Sequence, residues 1–300
     1  MKNLAPIVLF TYNKLGTLKK TVQHLKKNKL ARKSNIFIYS DFYKTNVDKI
    51  HVLKVRKYLR EIQGFKKKKI ILRNKNFGLA KNIVNGVSQV MKNHSKAIIL
   101  EDDILVSRYF LDYMNSSLNL YKKKKNIWHI SGWNYNIKLK SEHDVYFTRT
   151  MNCWGWATWK DRWKCYKKNP KEIIKKWSLS DINKFNFEGS YNFFSQIERN
   201  LSGQIDTWAI FWYAVIFKNN GLCVNPINTL VTNIGVGKFA TNTNFLNNIF
   251  TSNINEHNLL PKKFPNKILE NKKIFSSIKI NFLKLKIKNK IKNYIRKLIK

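Results

Sequence analysis

Acid is scarce in this chain: 17 Asp and Glu stand against 58 Lys and Arg in 300 residues, a formal net charge of +41. Such an excess invites a nucleic-acid role, because neutralising phosphates is what clustered basic side chains do. The excess is mostly Lys, however, whereas base and phosphate readout favours the bidentate fork of Arg. The lysines travel with abundant Asn and Ile, as an AT-rich coding sequence would produce, and no zinc-finger, RRM or KH pattern is present. No nucleic-acid partner is expected. Cysteine is rare too: Cys153, Cys165 and Cys223 are widely spaced, with no CxxC, so free thiols in a reducing compartment are expected. The longest apolar run, residues 208–217, falls well short of the roughly 20 residues that span a bilayer. The N-terminal apolar stretch, residues 4–10, is too short for a signal peptide. The expectation is a cytoplasmic protein, peripheral on the inner face of the membrane.

Against that background the few acids are informative by position. Ala97-Ile-Ile-Leu-Glu-Asp-Asp-Ile-Leu-Val106 sets three consecutive carboxylates between two apolar runs, where a buried strand ends. Burying them is costly unless something pairs them. One partner is the abundant lysine. The other is a divalent cation: hard oxygen ligands suit Mg²⁺ or Mn²⁺, and open α/β sheets bind ligands at the carboxyl edge of their strands.

With 43% hydrophobic and 14% aromatic residues, the composition is globular, and the length allows one large α/β domain or two smaller ones. Apolar strands are predicted at 7–10, 35–40, 69–72 and 97–100, each followed by polar residues. Amphipathic helices alternate with them, from Thr17 as a cap to 25, from 47 to 62, and up to about 91. This alternation implies a parallel sheet covered on both faces, with Asn13, Asp41, Asn76 and Asp103 converging on one edge. Ser107 caps a helix reaching about 121, and 128–133 and 145–149 read as strands. Short helices are predicted near 170–177, 180–187 and 191–201, then a longer one over 204–218 stopped by Gly221.

Three features carry two readings each. The cluster Cys153-Trp-Gly-Trp-Ala-Thr-Trp159 either closes over sugar rings, whose apolar faces stack on indoles, or is ordinary core. Asp206 stands at the start of the 204–218 helix and is either its cap or a reactive carboxylate. From Lys272 onward there is no acid, and Ile287, Ile291, Tyr294, Ile295 and Leu298 recur at helical spacing among lysines. That is the composition of a helix on an anionic bilayer surface, or of a solvated basic tail.

The segments Ala5-Pro-Ile-Val-Leu-Phe-Thr-Tyr-Asn13, Asn76-Phe-Gly-Leu-Ala-Lys-Asn82, Ile98-Ile-Leu-Glu-Asp-Asp-Ile104, Cys153 to Trp159 and Asp206-Thr-Trp208 resemble, in order and spacing, bacterial GT-A glycosyltransferases similar to N-acetylglucosaminyltransferase I. The resemblance covers roughly residues 5–240. It implies an α/β GT-A fold, Rossmann-like with a mainly parallel sheet and helices on both faces, over residues 1–245. The donor half would run to about 135 and the acceptor half over 136–245, with 246–300 a basic helical tail outside it. The implied activity is inverting, metal-dependent transfer of a hexosyl or N-acetylhexosaminyl unit from a nucleotide sugar, UDP-linked, to a bacterial surface glycan or its precursor.

By the same resemblance, Asp103 binds Mn²⁺ or Mg²⁺, Asp102 is directed to the ribose and Glu101 to the donor sugar. Thr11, Tyr12 and Asn13 begin the loop that holds the nucleotide, Asp41 pairs with uracil, and Asn76 and Lys81 join the donor side. Asp206 is the general base, and Trp154, Trp156 and Trp208 meet the acceptor or sugar. One departure stands out: many relatives carry a His soon after the Asn-Ile-Gly motif, whereas residues 236–242 here contain none. Two other readings fit parts of the sequence: a nucleotidyltransferase with the same metal and nucleotide logic, and a basic nucleic-acid-binding protein on an α/β core.

Overall fold

The computed structural model describes residues 3–235, 248–254 and 259–298; the stretch 236–242 singled out above lies outside them. Strand β1 (Ile7–Thr11) is buried along its whole length, which is why it reads as a continuous apolar run rather than an alternating one. After it come α1 (Leu15–Lys26), β2 (Asn35–Ser40), α2 (Asn46–Glu61), β3 (Lys67–Leu72), α3 (Gly78–Asn93) and β4 (Lys96–Glu101). The four strands are parallel in the order β3-β2-β1-β4. Their register aligns the carboxyl ends: Thr11 pairs with Ser40, Ser40 with Leu72, and Phe10 with Glu101. Residues that follow all four strands therefore emerge on one edge.

Helices α1 and α2 cover one face, where Leu18, Val22, Val55 and Leu59 pack with Ile7, Leu9 and Ile36. Helix α3 covers the other, with Ile83 and Val87 against Val8 and Phe10. The outer strand β3 carries Lys67, Lys68 and Lys69, charges that discourage pairing with another sheet.

Beyond β4 the chain forms β5 (Ile104–Val106), α4 (Phe110–Leu120), β6 (Ile127–Ser131), β7 (Val145–Thr148), β8 (Trp156–Trp159) and α5 (Lys160–Trp163). It continues through α6 (Pro170–Lys176), α7 (Leu179–Phe185), α8 (Ser195–Leu201), α9 (Ala209–Lys218), β9 (Leu222–Pro226) and β10 (Val231–Asn233). Strand β8 enters antiparallel between β4 and β6, and β9 and β7 complete eight strands, while β5 and β10 form a separate ribbon. The sheet is thus parallel in its first half and mixed in its second. Strand β6 is joined to β7 without a crossover helix, and a strand reached that way runs back in the opposite direction.

Other departures are local. Thr17 does not cap α1; the helix begins at Leu15 and the Thr17 hydroxyl donates to the Lys14 carbonyl, 3.1 Å. The predicted helix over 191–201 shortens to α8, and before it Phe187, Glu188 and Gly189 take left-handed φ values of 54°, 52° and 74°. Such a run is disfavoured for side chains with a Cβ. It is held from outside: the Phe187 ring stacks on Phe275 at 4.1 Å, and Glu188 pairs with Lys279 at 2.7 Å.

Those partners belong to α10 (Lys272–Leu298), which lies beyond the boundary expected at residue 246. Ile274, Phe275, Ile278 and Phe282 are buried, Phe282 against Tyr135, Phe187, Tyr191 and Phe250. Glu270 is ion-paired with Arg149, and the Asn136 amide donates to the Ile249 carbonyl. The segment through Phe282 is therefore part of the core. Past it the helix emerges, with Ile287 58% and Ile291 55% exposed. Among the described residues, no helix is long and apolar enough to cross a membrane.

Candidate active site

Successive residues at a strand end point to opposite sides, and this divides the acidic triplet. Glu101 and Asp103 line a cavity of 260 Å³ together with Lys14, Trp154, Asp206 and Trp208. Asp102 turns the other way, its Oδ2 accepting from the Thr11 hydroxyl at 2.7 Å and from the Tyr12 amide at 3.1 Å. Thr21 donates to the Asp102 carbonyl, 3.0 Å. Asp102 thus anchors the turn after β1. Burial, reinforced by the neighbouring acids, pushes Glu101 up to about 8 and Asp102 up to about 7, and burial raises Asp103. Lys14 is the cation whose charge opposes these shifts in all three.

The other residues expected on the donor side lie along the same strand edge, beside the cavity rather than in its lining. Asn13 donates to Asp48 at 2.9 Å, and the Tyr12 hydroxyl accepts from the Lys44 amide at 3.0 Å, so α2 fixes the turn. Asp41 is buried; its Oδ1 accepts from the Phe42 and Phe77 amides at 2.8 and 2.9 Å. Burial pushes its carboxyl above the usual range. Asn76 donates to the Phe42 carbonyl at 2.6 Å, and the Lys81 ammonium lies 5.2 Å from the centre of the Phe77 ring. These contacts tie the ends of β2 and β3 to the start of α3.

Asp206, which lines the same cavity, is not a helix cap. Helix α9 starts at Ala209 with Trp208 at its N-cap position and no side-chain cap. Asp206 is instead exposed at the cavity wall and ion-paired with Lys168. Trp154 packs edge-on against Trp133, with ring centres 4.9 Å apart. Trp156, expected at a sugar, is 1% exposed and stacked between His129 at 5.3 Å and Trp208 at 5.1 Å. It supports Trp208 from behind. His129 is buried in turn, its Nε2 2.9 Å from the Asn152 carbonyl and its Nδ1 accepting from the Trp212 indole at 3.2 Å. Burial drives its pKa down to about 3.

The cavity also contains residues that sequence reasoning passed over. Lys14 could have been found, since it directly follows the Thr-Tyr-Asn turn. Tyr191, Asn233 and Phe250 carry no local signal. Cys153 lines the wall, where burial pushes its thiol up to about 12. Gly235 packs against Asp103, brought there by β10 through a bond from the Ile234 amide to the Asp103 carbonyl, 2.9 Å.

Among the described residues, no cluster of three or more His, Cys, Asp and Glu forms a metal cage. The donor set still suits a hard divalent ion bound in another way. Mg²⁺ and similar ions are often held by one or two carboxylates plus substrate phosphates, and Glu101 and Asp103 present partly desolvated carboxylates with one ammonium nearby. Asp103 would hold the ion.

No curated protein matches the sequence. Among solved structures, S. aureus TarS (1–349) aligns with a TM-score of 0.42 and 7% identity, over 76% of this chain and 59% of that one. The mannosyltransferase PcManGT from Pyrobaculum calidifontis, solved with GDP-Man and Mn²⁺, aligns at 0.36 and 7%, over 73% and 70%. The chain thus spans 59% of the TarS structure, and at these scores the likeness carries no argument about activity. The match that does bear on kinship is to the GNT-I sequence pattern over residues 1–183. It takes in the turn after β1, the acidic strand end and the tryptophan cluster, and because it spans more than half of the chain, the chain belongs to the GNT-I family.

Proposed function

We propose that the protein is an inverting glycosyltransferase that moves a hexosyl or N-acetylhexosaminyl unit from a UDP-sugar to a hydroxyl of a bacterial surface glycan or its precursor. The observation that carries this reading is one cavity lined by Lys14, Glu101 and Asp103 from the ends of the parallel strands and by Asp206 from the segment before α9. Inversion requires a base on the face of the sugar opposite the leaving group, and Asp206 is the cavity carboxylate assigned that role, with Lys14 and Asp103 assigned to the leaving group.

In this reading Asp206 takes the proton of the acceptor hydroxyl as its oxygen bonds to the anomeric carbon. The bond from that carbon to the diphosphate oxygen breaks, and the electron pair leaves with UDP. Lys14 offers positive charge to the diphosphate. A Mn²⁺ or Mg²⁺ ion held by Asp103 would supply further stabilisation of the developing charge. Glu101 faces the donor sugar, while Thr11, Tyr12, Asn13, Asp41, Asn76 and Lys81 shape the nucleotide end, with Asp102 fixing their turn. Trp154 offers indole surface to sugar rings, while Trp208, 3% exposed, reaches the cavity only at its edge. The emergent part of α10, basic and with exposed Ile287 and Ile291, lies on the anionic inner face of the membrane.

Two measurements test the proposal. Calorimetric UDP titration with and without Mn²⁺ is expected to show metal-enhanced binding, and a panel of nucleotide sugars is expected to release UDP, not pyrophosphate, with one donor. UDP binding indifferent to metal would overturn it.

A further inference from the structure

A second opening, of 530 Å³, lies between α10 and the loop over residues 186–192. Tyr191 lines both this groove and the catalytic cavity. Phe282, in the groove, packs 4.8 Å from Tyr191 and 6.0 Å from Phe250, a residue of the cavity. One aromatic wall therefore faces both spaces.

The groove is also chemically distinct. Phe282 and Leu285 give it apolar lining, Asn192 and Asn289 give it amides, and Lys286 and Lys290 stand one turn apart on α10. Among the described residues, no acidic side chain lines it. Lys286 makes one long bond to the Gly189 carbonyl, 3.4 Å. A larger cavity of 770 Å³ near α6 and α9 differs on this point: Glu172 pairs there with Lys167 and Lys176, and Glu270 with Arg149. Its cations are largely neutralised from within, whereas among the described residues the two groove lysines have no carboxylate partner.

We propose that this groove is the acceptor-side extension of the same site and takes a phosphate or diphosphate group carried by the acceptor. The proposal rests on the sugar-transferase reading. Ammonium groups one helical turn apart can bind neighbouring phosphate oxygens together, with amides beside them and an apolar lining for an attached chain. Tyr191 then lies between the anion and the sugar that is extended. The left-handed run at Phe187–Gly189, held by Phe275 and Lys279 of α10, gives the loop its shape, so the helix builds both sides of the groove.

The test uses the full-length protein with UDP and Mg²⁺ at saturation, and calorimetry with geranyl diphosphate, inorganic pyrophosphate and geraniol as probes. Geranyl diphosphate is expected to bind and geraniol not. K286M/K290M is expected to weaken the diphosphate by roughly tenfold or more, and K286R/K290R to retain it. Tighter binding of geranyl diphosphate than of pyrophosphate points to a lipid-linked acceptor; equal binding points to the anionic group alone. Unchanged affinity in K286M/K290M, or no binding of either anion to the wild type, overturns the proposal. Failure of UDP to bind the wild type would sink the donor reading instead, and the lysine variants would still report on the groove.

Discussion

Gly235 stands so close to the carboxylate of Asp103 that a Cβ on it would lie 1.9 Å from Oδ2 and 2.6 Å from Cγ. Only the absence of a side chain permits the approach, and it leaves the Asp103 carboxylate confined between β10 and the end of β4. Gly235→Ala is expected to push that carboxylate aside and reduce the Mn²⁺ enhancement of UDP affinity by roughly tenfold or more. Calorimetry reads the effect. An alanine variant with the wild-type metal response would show that the carboxylate can move without consequence.

Asp103→Asn keeps the shape and removes the charge that a divalent ion requires. Metal-dependent UDP binding is expected to disappear while metal-independent binding persists. Undiminished Mn²⁺ dependence in this variant would sink the assignment of Asp103.

Asp206→Asn separates chemistry from stability. The residue is exposed, makes no helix cap and pairs with Lys168 at the surface, and exposed ion pairs contribute about 0–1 kcal/mol. The melting temperature and UDP affinity are expected to stay near wild type, and transfer to fall by roughly 10²-fold or more, because an amide cannot accept the acceptor's proton. Retained turnover would move the search for the base elsewhere.

Two truncations divide α10. Removing 291–300 takes away Lys292, Arg296, Lys297 and Lys300, each worth about 1 kcal/mol near an anionic surface. Flotation with anionic liposomes is expected to weaken while the melting temperature holds. Removing 272–300 also strips Ile274, Phe275, Ile278 and Phe282 from the core, at about 2 kcal/mol each, and is expected to yield little folded protein. Equal flotation of the wild type and the shorter truncation would count against membrane attachment.

His129 makes stability depend on pH. Its pKa is depressed to about 3 by burial, against about 6.5 in an unfolded chain, so between these values the unfolded state binds more protons. Stability contributed by the neutral ring is present above about pH 6.5 and is lost as pH falls toward 3, by up to about 1.4 kcal/mol per pH unit. His129→Gln, whose amide can donate to Asn152 and accept from Trp212, is expected to flatten denaturant midpoints over that window. Parallel curves for variant and wild type would refute this.

Much of this arrangement was legible from the residues. The strands 7–10, 35–40, 69–72 and 97–100 declare themselves as apolar runs, and their polar termini mark a single edge because parallel strands in register end together. The readings that shifted depended on contacts between distant segments. Asp206 looked like a cap because it precedes a helical pattern, but the helix starts three residues later and the carboxylate meets Lys168, 38 residues away. Trp156 and Trp154 are two residues apart in one motif, yet one is stacked in the core and the other lines the cavity.

The sequence alone determined the alternation of strand and helix, the carboxylate-bearing edge and the family, since hydrophobic period and short motifs are written in neighbouring residues. Tertiary structure decided which acids face the cavity, because Thr11 and Tyr12 draw Asp102 away while Glu101 and Asp103 stay. It also decided that the basic C-terminal helix is rooted in the core by Phe282. Periodicity shows that a helix has an apolar stripe, but what covers the stripe is set by the path of the chain and the packing it closes.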